Sequence, residues 1–87
     1  MMYFVYVLYS KAFDRQYVGM SQNVEKRLKE HNSRKTTSTK GFIPWSLIYT
    51  EEHNTLKEAR TREKYLKSAA GRRWRKEHLT WPSSSTG

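Results

Sequence analysis

Eighty-seven residues leave room for one hydrophobic core and no second domain, and although only 36% of the chain is hydrophobic, twelve aromatic rings bury enough area each for a compact fold. Seventeen Lys and Arg against eight Asp and Glu give a formal charge of +9, a field that draws polyanions, nucleic acid foremost. The lack of cysteine excludes a disulfide framework, a thiolate nucleophile and a Cys-type zinc site.

Tyr3 to Tyr9 is an unbroken run of β-branched, aromatic and aliphatic residues, as in a strand covered on both faces, so it is expected to be a central strand. The run is too short for a membrane span and has neither the charged leader nor the cleavage site of a signal peptide, which points to a cytoplasmic protein. After a turn over 10–15, Gln16 to Met20 reads as a second strand, making a β-hairpin. With the turn centred between Lys11 and Ala12, Tyr6 and Tyr17 would lie opposite each other on one face.

Asn23 is a good N-cap, and Val24, Leu28 and His31 follow at helical spacing, predicting a helix over 24–32. Arg27 and His31 share the stripe that should meet the sheet, which is costly patterning for a purely structural helix. Asn32 to Pro44 is polar and aperiodic and reads as a long mobile loop carrying Arg34, Lys35 and Lys40. Trp45 to Thr50 alternates as a third strand, with Trp45, Leu47 and Tyr49 on one face.

Thr55 and Glu58 form a capping box that opens a helix over 55–67, with Leu56, Ala59 and Leu66 as its apolar stripe and Glu63 turned inward on it. Gly71 is expected to break the chain before a last basic helix over 72–79 around Trp74, and 81–87 reads as a disordered tail beyond a single domain at 1–80. Residues 57–87 carry nine basic and three acidic side chains, against eight and five before them, so most of the net charge is C-terminal. Arg60, Lys67, Arg72, Arg73, Arg75 and Lys76 would contact phosphates, with Trp74 stacking on an unpaired base. Arg34, Lys35 and Lys40 would add a strap over the backbone. The helix ending at Lys67 offers only Leu56, Ala59 and Leu66 opposite its basic face, less than a membrane-surface helix needs, so no membrane partner is expected.

Two tyrosines on a hairpin, an arginine and a histidine on the next helix and an inward glutamate are the parts of a one-metal phosphodiesterase. A carboxylate, Glu63, can hold a hard cation such as Mg²⁺ or Mn²⁺ that also binds substrate phosphate. An arginine, Arg27, can stabilise charge on the non-bridging oxygens, and Tyr6, Tyr17 and His31 are candidates for the general base.

The ordered set resembles the GIY-YIG nucleases, which include homing and restriction endonucleases and the incision subunit of bacterial excision repair. Phe4-Val5-Tyr6 is similar to the first signature tripeptide and Tyr17-Val18-Gly19 to the second. Arg27 stands ten residues after Tyr17, His31 one turn later, and Glu63 within Ala59 to Lys64 resembles the metal-binding glutamate. The resemblance implies a three-stranded antiparallel sheet flanked by about three helices, an α/β (α+β) fold, and a divalent-metal-dependent endonuclease acting on DNA in repair or recombination. Phe4 replaces the first glycine of the signature, and Met20 stands where the repair subunits have lysine.

Each residue also has a plainer reading. The tyrosines could be core aromatics and His31 a satisfied buried histidine; Arg27 could pair with Glu30 or Glu63, Glu63 with Lys67, and the basic residues could be a solvated face. A catalytically inactive nucleic-acid-binding module, or an accessory subunit of a repair complex, is the functional alternative.

Overall fold

Strand propensity in the run after Met2 places the first strand, β1 (Tyr3–Ser10), between the other two. The structure is a computed structural model that describes residues 2–79; the expected tail, 81–87, lies outside the described residues. β2 (Arg15–Ser21) and β3 (Ser46–His53) pair antiparallel with β1 on either side, in the order β2-β1-β3. Covered on both faces and both edges, Val5 through Ser10 are buried, as the lack of alternation requires.

The two faces of β1 feed two cores. Val5 and Val7 join Val18, Ala59 and Leu66 beneath α2 (Leu56–Lys67) and α3 (Ala69–His78). Tyr6 and Leu8 join Trp45, with Tyr17, Val24 and Leu28 packed against them beneath α1 (Val24–Asn32). The caps are those the sequence offers: the Lys26 amide donates to Asn23 Oδ1 at 3.1 Å, and the Glu58 amide to Thr55 Oγ1 at 3.1 Å.

Four expectations need correction. The hairpin turns between Ala12 and Phe13, so Tyr6 lies opposite Gly19 and Tyr17 opposite Leu8. Because the offset is two residues, both tyrosines stay on the expected face as diagonal neighbours, 6.4 Å apart between ring centroids. The alternation in β3 is broken where Val7 faces Tyr49 but Leu8 faces Leu47, a bulge at Ile48 that sends both Ile48 and Tyr49 to the core and leaves Leu47 exposed.

The helix break comes at Ser68 and not at Gly71: Ser68 ends α2, and its Oγ accepts from the Gly71 amide at 3.2 Å to cap α3. Gly71 is buried, and any Cβ there would collide with the Tyr65 carbonyl oxygen and the Leu66 backbone, so the glycine permits the tight α2–α3 junction. The fourth correction concerns 32–44, which is anchored where a mobile loop was expected. The Asn32 amide group brackets the Trp45 backbone, donating to its carbonyl at 3.0 Å and accepting from its N–H at 2.5 Å. Trp45 Nε1 in turn donates to the Thr39 carbonyl at 2.9 Å, just ahead of a short 3₁₀ turn over Lys40–Phe42.

Candidate active site

Central placement of β1 puts Tyr6 where water scarcely reaches, at 1% exposure, and α1 lays His31 over it, fully buried. Tyr6 Oη and His31 Nε2 are 3.0 Å apart, and His31 Nδ1 lies 2.9 Å from Thr39 Oγ1. The Thr39 hydroxyl is also 3.4 Å from the Thr36 carbonyl, toward which it can only donate. That leaves an Oγ1 lone pair for the histidine, so the pattern assigns the imidazole proton to Nδ1. Nε2 then accepts from the Tyr6 hydroxyl, and the Tyr6 proton points inward.

Tyr17, on the edge strand β2, is only partly buried, with its ring 4.8 Å from that of His31. Gly19 makes the arrangement possible. A Cβ at that position would come within 2.5 Å of Tyr6 Cζ and Oη and 3.0 Å of Tyr17 Cε1. The glycine therefore serves close approach of two rings, a role visible in the sequence only as the end of a tripeptide.

Burial pushes the Tyr6 phenol above its ordinary value; the nearby Arg27 guanidinium works against this by favouring the phenolate, while charge at Tyr17 and at Glu63 adds to the rise. Burial also lowers His31, and the charge of Arg27 lowers it further, which keeps the imidazole neutral at pH 7. Arg27 thus faces Tyr6, while its Nη1 also binds Glu30 Oε1 at 2.6 Å along the helix. Glu63, one turn from Ala59 on the inward stripe of α2, is mostly buried, and Lys67 Nζ stands 3.2 Å from its Oε2. Lys67 is half exposed, so this i,i+4 pair contributes about 0.3–0.5 kcal/mol and yields readily to a stronger cation. Both plainer pairings, Arg27 with Glu30 and Glu63 with Lys67, are thus present, but neither uses up its residue.

The structure brings Tyr6, Tyr17, Arg27 and His31 together, with Glu63 near enough for its charge to act on Tyr6. Among the described residues no group of three or more His, Asp or Glu could cage a metal ion. Glu63 is nonetheless a fitting donor for one hard cation, since Mg²⁺ is commonly held by one or two carboxylates together with water and substrate phosphate. Residues that sequence reasoning missed are Thr39, which orients His31, and Asn32 and Trp45, which hold the Thr39 segment in place. Thr39 lies in a Ser/Thr-rich stretch with nothing local to single it out.

The expected phosphate contacts divide. Arg34, Lys35, Lys40, Arg60, Lys67, Arg72, Arg73 and Lys76 are exposed. Arg75 is turned inward: its Nε donates to the Leu66 carbonyl at 3.2 Å and its Nη1 to the Gln16 side chain, so it anchors α3 to α2 and β2 and leaves the basic surface. The Trp74 ring is already engaged, edge-on to Tyr49 at 5.7 Å, parallel to His78 at 4.5 Å and with the Arg62 guanidinium 4.6 Å from its centroid. No helix among the described residues is long and apolar enough to cross a membrane.

With a tyrosine pair on a β-hairpin, an arginine on the following helix and a glutamate on the helix after β3, the chain belongs to the GIY-YIG catalytic domain family, which matches residues 2–78. Within that nuclease-type family it is similar to a UPF0213 protein of Clostridium perfringens, 39% identical over 67 residues, 76% of this chain and 71% of that one. A UPF0213 protein of Natronomonas pharaonis is 37% identical over 78 residues, 88% of each chain. The solution NMR structure of a UPF0213 protein from Bacillus halodurans shares the fold, with a TM-score of 0.53 and 28% identity over 88% of this chain and 82% of that one.

Proposed function

We propose that this protein is a divalent-metal-dependent endonuclease that hydrolyses DNA phosphodiester bonds, in DNA repair or recombination. The observation that carries the proposal is the convergence of Tyr6, Tyr17, Arg27 and His31 beside the Glu63 carboxylate, in a chain with +9 net charge. Glu63 would hold Mg²⁺ or Mn²⁺, which supplies positive charge to the phosphate oxygens and lowers the pKa of hydroxyls beside it. Arg27 stabilises the charge that builds on the non-bridging oxygens.

Tyr17 is the general base in this reading. It is the partly exposed tyrosine, whereas Tyr6 is buried, raised in pKa and committed to His31. Tyr6 and His31 fix the floor on which Tyr17 and Arg27 are set. The exposed cations from Arg34 to Lys76 track the sugar-phosphate backbone without reading sequence, so preference for a DNA structure outweighs preference for a sequence.

One observation favours a second reading, a module that binds nucleic acid without chemistry: both ring nitrogens of His31 are satisfied internally, as in a structural network. Cleavage of labelled linear, nicked, flapped and single-stranded DNA with Mg²⁺ or Mn²⁺, by wild type and Glu63→Ala, separates the two. Product from the wild type alone supports the nuclease. Salt-sensitive binding by both proteins with no product from either favours the binding module.

A further inference from the structure

The hairpin between β1 and β2 ends in an exposed aromatic that the proposed chemistry does not use. Phe13 is 51% exposed at the turn, the most exposed large hydrophobic among the described residues. Its ring meets Phe42 edge-on at 5.3 Å, and the Arg15 guanidinium lies 4.6 Å from the Phe42 centroid. Phe42 is 6.3 Å from Trp45, and Trp45 is 6.3 Å from Tyr17. A continuous series of rings therefore runs from the candidate base to the tip of the hairpin. Cations accompany its outer end: Lys11 shares the turn with Phe13, and Lys40 opens the 3₁₀ turn that carries Phe42.

A half-exposed ring on its own is ordinary surface, since apolar atoms contribute much of any protein's exterior. Here the ring packs edge-on against a second aromatic that carries an arginine, shares its turn with Lys11, and is joined to the candidate site by a series of rings. An apolar protein patch is poorly served by a ring whose aromatic partner carries Arg15 and shares its turn with Lys40, and a single exposed ring lacks the bulky apolar face that a lipid surface takes. A flat, π-faced base carried on a phosphate backbone matches both features. We infer that Phe13, backed by Phe42 and Arg15, is a stacking platform for an unpaired nucleobase near the phosphate held at the tyrosine pair, so the protein takes nucleic acid with a single-stranded segment. The inference rests on the nucleic-acid reading above and adds the class of substrate.

The test compares binding of an oligothymidylate and of an abasic strand of the same length, by fluorescence anisotropy in EDTA at fixed salt. Both strands carry the same phosphates, so the difference isolates contact with bases. Wild type should prefer the strand with bases. Phe13→Ala should lose roughly fivefold to a hundredfold in affinity for the oligothymidylate, and leave abasic binding and its salt dependence unchanged. Phe13→Tyr should restore the preference, which shows that Phe13→Ala does not act through misfolding. Undiminished base preference in Phe13→Ala, or a Phe13→Tyr protein as weak as Phe13→Ala, overturns the platform. The metal-free comparison separates the two proposals. A base preference that depends on Phe13 supports the platform whether or not the protein cuts, while cleavage with a base preference indifferent to Phe13 overturns the platform and spares the nuclease.

Discussion

Adding one methyl group at Gly19 should do more harm than most deletions in this protein. The new Cβ would stand 2.5 Å from Tyr6 Cζ and Oη, where carbon needs at least about 3.5 Å, so the tyrosine must retreat by about 1 Å. Tyr6 has little room to do so, because it is buried beneath α1 and tied to His31 at 3.0 Å. Overpacking of this kind costs about 1–3 kcal/mol, and a lengthened Tyr6–His31 bond adds about 1 kcal/mol. Against that, Gly→Ala gains about 0.4–1 kcal/mol through the unfolded chain. The net loss, roughly 1–3 kcal/mol, lowers Tm by roughly 5–20 °C in a domain of this length. Gly41→Ala is the control, because a Cβ there meets nothing within 4 Å and the backbone has an ordinary φ. Thermal denaturation of both variants followed by circular dichroism decides the matter. A Gly19→Ala protein that melts with the wild type, or no lower than Gly41→Ala, would refute the claim that this glycine exists to seat two tyrosines. If the nuclease proposal holds, the same variant should also lose about a hundredfold in cleavage rate, the usual effect of a misplacement near 1 Å.

His31 should make stability depend on pH. Its pKa is lowered in the fold, so the stability is fully present above about pH 6.5, the unfolded value, and is lost as pH falls through the lower folded value. Denaturant titrations of the wild type and His31→Gln from pH 7 to pH 5 should show a steeper decline in the wild type, and parallel curves would contradict the assignment. Thr39→Val leaves the His31 Nδ1–H without its acceptor and should cost about 1–3 kcal/mol. Imidazole nitrogen shifts measured by NMR should then move away from the Nδ1–H tautomer, and an unchanged tautomer would show that Thr39 does not set it. Arg75→Ala and Arg72→Ala should separate anchor from surface. The first should lower Tm by several degrees because the Leu66 carbonyl and Gln16 lose their donor, while the second should leave Tm within experimental scatter and reduce the salt slope of DNA binding by about one.

What the sequence made legible was whatever depends on local chemistry. The helix over 24–32 follows from Asn23 and from the spacing of Val24, Leu28 and His31, and it appears with the expected bounds. The capped start of α2 follows from Thr55 in the same way. Features settled by long-range packing were harder to read. The hairpin register depends on which four residues close the turn, and Lys11 to Asp14 contain no Asn-Gly or Asp-Gly pair to fix it. The tyrosines kept their common face despite that error because strand side chains repeat every two residues. The bulge at Ile48 and the inward turn of Arg75 arise from contacts made 42 and 59 residues apart in sequence, Tyr49 with Val7 and Arg75 with Gln16, which no window along the chain contains. Arg75 in particular looks like one more cation in a basic run until Gln16 and the end of α2 close around it.

The fold separates two residues that the signature treats alike. Tyr6 and Tyr17 each occupy a tripeptide of the same kind, and in sequence either serves equally well as a base. Strand order makes them different. β1 has a neighbour on each side and helices on both faces, so Tyr6 is sealed and its proton is directed to His31, whereas β2 is an edge strand and leaves Tyr17 partly open. If the protein cuts DNA, Tyr17→Phe should therefore nearly abolish the rate, while Tyr6→Phe, which deletes an internal hydrogen bond, should show its effect first in stability, by about 1 kcal/mol, with a smaller loss of rate. The reverse order, with Tyr6→Phe the slower enzyme at unchanged Tm, would mean that burial readies Tyr6 for proton transfer through His31 and that Tyr17 only shapes the site.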